Sequence, residues 1–267
     1  MADLLRRPAR VKPEGQAWRF IHFASVSLAG GGTLEATTGA NETALIVLAG
    51  RARIEAGGQV FPAVGTRASV WEREAPPALV LVPPRCAYSL RAEAEQTEVV
   101  VVGAEASESA RPPRLIGPSD MLVEERGEGQ TLRSVHHLLP PSADAERLIL
   151  VEVYTPPGNW SSFPPHKHDT DDPPRESLLE EIYYWHLDPP TGFAVQRVYT
   201  ADGSLDQTLA TRDGDLVLVP RGYHVTASTP GHWSYYLNAM AGIGRAWNFS
   251  LDPAYASLLN WQKPPGT

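Results

Sequence analysis

Cysteine is almost absent from these 267 residues: Cys86 stands alone. A single thiol closes no bridge within the chain, so burial and hydrogen bonding must hold the fold, and a reducing compartment is expected. Cys86 itself has no base near it in sequence and reads as a small buried apolar side chain rather than a nucleophile. Long apolar runs are missing as well. No stretch approaches the roughly 20 apolar residues that cross a bilayer. The segment Met1-Ala-Asp-Leu-Leu-Arg-Arg-Pro8 has basic residues with no apolar run behind them, so it is not read as a signal peptide. The expectation is a cytoplasmic protein that makes no membrane contact.

Positive charge is scarce too. Lys and Arg total 23 against 31 Asp and Glu, a formal net charge of −8. A phosphate-binding surface needs the opposite excess, so nucleic acid is not an expected partner. Sustained helical periodicity is lacking. Instead, 25 prolines and 22 glycines punctuate runs rich in Val, Leu, Thr and Tyr, the composition of short strands joined by turns. The chain is long enough for one large β domain or two smaller ones, each with a substantial core.

The strand-and-turn pattern occurs twice. Apolar runs at Thr43–Leu48, Leu79–Val82 and Glu98–Val102 are followed by a polar, Pro-rich stretch from Ser107 to Pro118, which reads as a linker. From about Thr131 the pattern resumes at Arg147–Tyr154, Glu181–Leu187, Phe193–Thr200, Leu216–Val219 and Trp233–Met240. Leu79-Val-Leu-Val-Pro83 echoes Leu216-Val-Leu-Val-Pro220, but only the second copy is followed by a histidine, His224. Two tandem units are expected, residues 1–115 without a metal site and 116–267 with one.

The chemistry concentrates in the second unit. His166-Lys167-His168 is followed by Glu181 and by the segment Gly214 to His224. In a strand, residues two apart share a face, so His166 and His168 can address one ion while Lys167 points away. Leu216–Val219, bounded by Asp213-Gly214-Asp215 and Pro220-Arg221-Gly222, reads as a buried strand with His224 just past its turn. Glu181 opens the run Ile-Tyr-Tyr-Trp, where a carboxylate needs a charged partner or an ion. Three imidazoles and one carboxylate suit a divalent ion, zinc first and then manganese, iron or nickel, with positions left for substrate oxygens. Glu176 and Glu180 compete with Glu181 for the fourth position. On the strand that carries Glu181, Tyr183 and Trp185 lie on its side, which makes Tyr183 a candidate pocket hydroxyl. Trp160, Trp185 and Trp233 lie near the motif, but core packing is the first expectation for each.

These segments resemble the paired motifs of the cupin superfamily, with three departures: seven residues between Gly158 and His166, a long insertion from Asp169 to Glu180, and one residue between Gly222 and His224. The stretch PPHKHDTDDPPRESLLEEIYYW (Pro164 to Trp185), with RSVHHLLP at Arg133 and RAWNFSLDP at Arg245, is similar to the 5-deoxy-glucuronate isomerase family of inositol catabolism. That family is related to the 4-deoxy-5-threo-hexosulose-uronate isomerases of pectin breakdown.

The resemblance implies an all-β, double-stranded β-helix (jelly-roll) fold with two tandem barrels, a bicupin. It implies His166, His168, Glu181 and His224 as metal ligands, and an aldose–ketose isomerisation of 5-deoxy-D-glucuronate to 2-deoxy-5-keto-D-gluconate. Candidates for the proton shuttle are Glu180, Tyr183, one of His136 and His137, and a metal-bound hydroxide; in a strand only one of the histidine pair faces inward, and His137 is carried forward. A sugar acid needs local positive charge, and Arg133, Lys167, Arg197, Arg221 and Arg245 are candidates, with Arg133 carried forward. Barrels of this type have sheet edges through which a homo-oligomer can assemble. Two other readings use the same ligand set: a metal-dependent dioxygenase and a non-catalytic sugar-binding cupin.

Overall fold

The computed structural model describes residues 3–107 and 111–262. Among the described residues, four antiparallel sheets make two sandwiches. In the amino-terminal one, a six-stranded sheet built on Asn41–Ala49, Ala78–Val82 and Gln96–Glu105 faces a four-stranded sheet. In the carboxy-terminal one, an eight-stranded sheet contains Arg133–Leu139, Ile149–Thr155, Glu176–Asp188, Leu216–Val219 and Trp233–Gly242. It faces a five-stranded sheet that contains Trp160–Lys167, Ala194–Tyr199 and Tyr223–Ser228.

The two larger sheets pack against each other, which explains why their strands read as unbroken apolar runs. With both faces covered, a strand has no solvent side on which to place polar residues. Leu45, Val47, Val80, Val82 and Val99 fill the amino-terminal sandwich. Their strand neighbours Ala44, Ile46, Leu48, Leu79, Leu81 and Val100 turn outward to meet Leu150, Ile182, Tyr184, Leu216, Leu218 and Leu237. The carboxy-terminal interior takes the alternate residues Val151, Val153, Tyr183, Trp185, Val217, Val219 and Tyr236. Each such large side chain, fully buried, contributes about 1.5–3 kcal/mol relative to exposure.

Buried ion pairs help to join the two sandwiches. The buried Arg67 guanidinium donates to both Glu152 oxygens, at 3.0 and 2.8 Å, and Glu152 also pairs with His136 Nδ1 at 2.8 Å and accepts from the Tyr235 hydroxyl at 3.0 Å. His186 bridges Glu98 of the amino-terminal sheet, at 3.0 Å, and Asp213, at 3.1 Å.

Two details of the layout differ from the sequence reading. Leu5–Arg6 pairs with Leu216–Val219, so the chain begins as the edge strand of the carboxy-terminal sheet before Arg10–Val11 enters the other sandwich. A two-residue strand from the first ten positions thus joins the carboxy-terminal sheet. Within the expected linker, residues 108–110 lie outside the described ones, and Arg114–Ile116 pairs with the strand Ala78–Val82 rather than running free. The inward positions of the amino-terminal sandwich are apolar, and Cys86 packs among them.

Candidate metal centre

Three strands and one hairpin build the site. His166 near the end of Trp160–Lys167 and His224 on Tyr223–Ser228 are direct cross-strand partners. His168 follows at once. Its carbonyl accepts from the Leu179 amide at 2.8 Å, and its Nδ1 donates to the Leu179 carbonyl at 3.0 Å, which ties it two residues from Glu181. The Asp169–Glu180 insertion folds into a hairpin, Asp169–Asp172 against the start of Glu176–Asp188, so a long gap in sequence becomes a short one in space.

The nitrogens of His166, His168 and His224 lie within 4.8 Å of one another, all buried. Glu181 Oε2 is 3.1 Å from His168 Nε2 and 2.9 Å from His224 Nε2. Adjacent ligands held about 2.1 Å from one ion at right angles would stand about 3 Å apart. Each ring presents its Nδ1 to a backbone carbonyl: Pro164 at 3.1 Å, Leu179 at 3.0 Å and Gly222 at 3.2 Å. A carbonyl only accepts, so Nδ1 carries hydrogen in all three rings and Nε2 is directed to the centre. His224 Nε2 is buried with no hydrogen-bond partner. The residues fit a divalent ion.

The electrostatics of Glu181 and His166 agree with a neutral imidazole and an ionised carboxylate at the centre. Burial alone would raise the Glu181 carboxyl, but His224 and His168 hold it far below the usual carboxylate range. Burial, with His224 and His168 adding to it, keeps His166 well below the ordinary imidazole value. Burial acts to lower His168 too, yet its hydrogen bond to Glu181 leaves it raised.

The two competing carboxylates are engaged elsewhere. Lys167 turns away from the centre, as expected, and Glu176 accepts from its Nζ at 2.7 Å and from the Asp169 amide at 2.9 Å. Glu180 lies on the opposite face of its strand from Glu181. There it accepts from the Arg19 and Phe20 amides of the other sandwich, at 2.6 and 2.8 Å. Burial raises its carboxyl, but its contacts are structural, so the structure removes Glu180 from the site. The two adjacent histidines divide as alternation requires. His136 faces the inter-sandwich network, and His137 faces the site side but is bonded to Glu124 at 2.9 Å rather than lining the pocket.

One pocket joins His166 and Glu181 to Arg133, Arg126, Tyr236 and Asn238. Tyr183 is fully buried behind it, with its hydroxyl 2.9 Å from Ser162 Oγ, which lies 3.4 Å from the Tyr236 hydroxyl. Burial holds both phenols above their ordinary value, for Tyr183 with the Glu181 charge reinforcing it. Trp247 and Phe249 from the carboxy-terminal tail close the pocket, Phe249 against the His166 ring at 5.1 Å. Of the cationic candidates only Arg133 faces this space. Lys167 pairs with Asp169 and Glu176, Arg197 with Asp206, Arg221 reaches Ser204, and Arg245 binds carbonyls of the 139–148 segment. Trp185 is core, whereas Trp160 is 41% exposed, contrary to the packing expectation.

Sequence reasoning missed Arg126, Ser162, Tyr236, Asn238, Trp247 and Phe249. Alternation does place 236 and 238 on one face of their strand, but nothing in the chain says which face looks at the histidines.

Two sandwiches, with three imidazoles and one carboxylate converging inside the second, define a two-barrel, all-β protein with a candidate metal centre. A solved oxalate decarboxylase from Lactobacillus farciminis shares the fold, with a TM-score of 0.67 at 13% identity over 97% of this chain and 91% of that one. The chain belongs to the KduI/IolB family, whose model matches residues 5–258. It is 46% identical over 244 residues to a 5-deoxy-glucuronate isomerase of Geobacillus kaustophilus, covering 91% of this chain and 87% of that one. With the 5-deoxy-glucuronate isomerase of Bacillus licheniformis it shares 40% identity over 272 residues, 97% and 99% of the two chains. The crystal structure of an IolB-like protein from Salmonella typhimurium LT2 superposes with a TM-score of 0.93 at 38% identity, over 96% of this chain and 99% of that one.

Proposed function

We propose that this chain is a 5-deoxy-glucuronate isomerase, converting 5-deoxy-D-glucuronate to 2-deoxy-5-keto-D-gluconate in inositol catabolism. The observation that carries the reading is 46% identity, across nine-tenths of the chain, to an enzyme of that name. The pocket supports it chemically, since metal-ligating side chains and a buried guanidinium share one enclosed space. The expected setting is the cytoplasm.

In this reaction a hydrogen leaves C2 and arrives at C1, and the proton of the C2 hydroxyl is replaced by one on the C1 oxygen. No external oxidant or reductant takes part. A divalent ion held by His166, His168, Glu181 and His224 would supply Lewis acidity toward the carbonyl and its neighbouring hydroxyl. Zinc is the first expectation for it, then manganese, iron or nickel. Tyr183 and Tyr236 stay protonated, because burial holds their hydroxyls above the ordinary value, so they act as donors and not as bases. Ser162 between them forms a hydroxyl chain through which a proton can be held near either carbon. Asn238 donates to the Ile182 carbonyl at 3.0 Å, which fixes its amide at the pocket wall. Glu180 and His137 are bound to other groups and take no part as bases.

The deciding experiment is elemental analysis of the purified protein together with an NMR assay on 5-deoxy-D-glucuronate. The reading expects about one divalent ion per chain and growth of the ketose signal. A fully loaded protein that leaves the sugar acid unchanged refutes it.

A further inference from the structure

We propose that Arg126 and Arg133 form a two-guanidinium subsite that takes the substrate's carboxylate and so fixes which end of the sugar acid meets the histidine–glutamate cluster. The proposal rests on the isomerase reading and adds to it the group that selects and orients the substrate.

Arg133 is only 5% exposed. It donates to the Thr131 carbonyl at 2.9 Å, and among the described residues no carboxylate is ion-paired with it. Such an arrangement is costly unless something compensates the charge, because a buried cation without a partner loses its hydration for little return. Burial, followed by the proximity of Arg126, pulls the Arg133 pKa down to about 10. An anion at this point would relieve both effects.

Arg126 lines the same pocket, more openly, and its guanidinium binds Glu124. Glu124 in turn holds His137, whose ring packs edge-on to Trp247 with centroids 6.5 Å apart. Arg126 is thereby positioned at the rim while most of its five donors stay available. Arg126 and Arg133 against Glu124 leave a charge of +1 among these three groups, on a chain whose net charge is −8. Tyr236 lines the same pocket as Arg133 and Glu181. Carboxylate recognition and carbonyl chemistry therefore share one space, and the ligand must carry both groups on a short carbon chain. A neutral sugar would leave Arg133 buried and unmatched, which is how a site built around a polar partner rejects an analogue lacking it.

The test compares 5-deoxy-D-glucuronate with its neutral counterpart, which has a hydroxymethyl group in place of the carboxylate. Calorimetric dissociation constants are measured on metal-loaded wild type, Arg126→Gln and Arg133→Gln, with Arg126→Lys as a charge-retaining control. Circular dichroism and metal content check that each variant is folded and loaded. The expected result is wild-type preference for the acid by about 100-fold or more. Arg133→Gln should lose most of that preference, Arg126→Gln about 10-fold of it, and Arg126→Lys less, while the neutral ligand binds all four proteins within about 2-fold. Equal weakening of both ligands, or an unchanged preference in Arg133→Gln and Arg126→Gln, overturns the subsite. Turnover is scored separately: a wild type that binds the acid selectively but does not isomerise it defeats the isomerase reading and leaves the subsite standing.

Discussion

Replacing His186 with glutamine should change how the stability of this protein depends on pH. His186 lies on the strand that carries Glu181 and Tyr183, and it reaches across to Glu98 of the other sandwich as well as to Asp213. Burial would lower its pKa, but hydrogen bonds to Asp213 and Glu98 raise it from 6.5 to about 9. An imidazole raised in the folded state stabilises that state fully below its unfolded pKa and loses the contribution as pH climbs through the folded one. The difference between 6.5 and about 9 corresponds to about 3 kcal/mol at pH 6, roughly half of that at pH 8 and nearly none at pH 10. The side chain is 13% exposed, so solvent screening removes little of it. Glu98, held low by His186 once burial is offset, loses its own contribution only in acid, outside this window. Urea midpoints of wild type and His186→Gln at pH 6, 8 and 10 measure the effect, because groups common to both proteins cancel. The gap in stability should close as pH rises. A gap that stays constant from pH 6 to 10 would refute a charged His186 as the clasp between the sandwiches.

His168→Ala should abolish bound metal and isomerisation while the circular dichroism spectrum is retained; lost metal with normal turnover would show that the ion is not catalytic. Tyr183→Phe should keep its metal and melt near the wild-type temperature but lower kcat by about 100-fold, the usual scale for a positioned proton donor; unchanged kcat in the NMR assay would exclude the hydroxyl chain. Arg67→Met removes the cation paired with the fully buried Glu152, leaving it only His136 and Tyr235, and should cost about 3–5 kcal/mol in chemical denaturation. A loss under about 1 kcal/mol would mean that His136 and Tyr235 suffice to hold that carboxylate.

Much of this protein was legible from its residues because the signals are local. Turn residues bounding apolar runs marked Asn41–Ala49, Ala78–Val82, Leu216–Val219 and Trp233–Gly242 closely, since a strand and its turns are specified by neighbouring positions. The period of two put His166 and His168 on one face with Lys167 on the other, and it put Tyr183 and Trp185 beside Glu181, because alternation is a property of the backbone itself. Other features were decided only by tertiary structure. Glu180 and Glu181 are equivalent in sequence, and Glu180 was removed from the site by the Arg19 and Phe20 amides, some 160 positions earlier. Arg126 and Arg133 meet His166 through pairing between distant strands, and Leu5–Arg6 completes a sheet whose other members begin more than a hundred residues later. Local chemistry names the donors along the chain, but which face is enclosed, and which groups share that enclosure, depends on how the sheets stack.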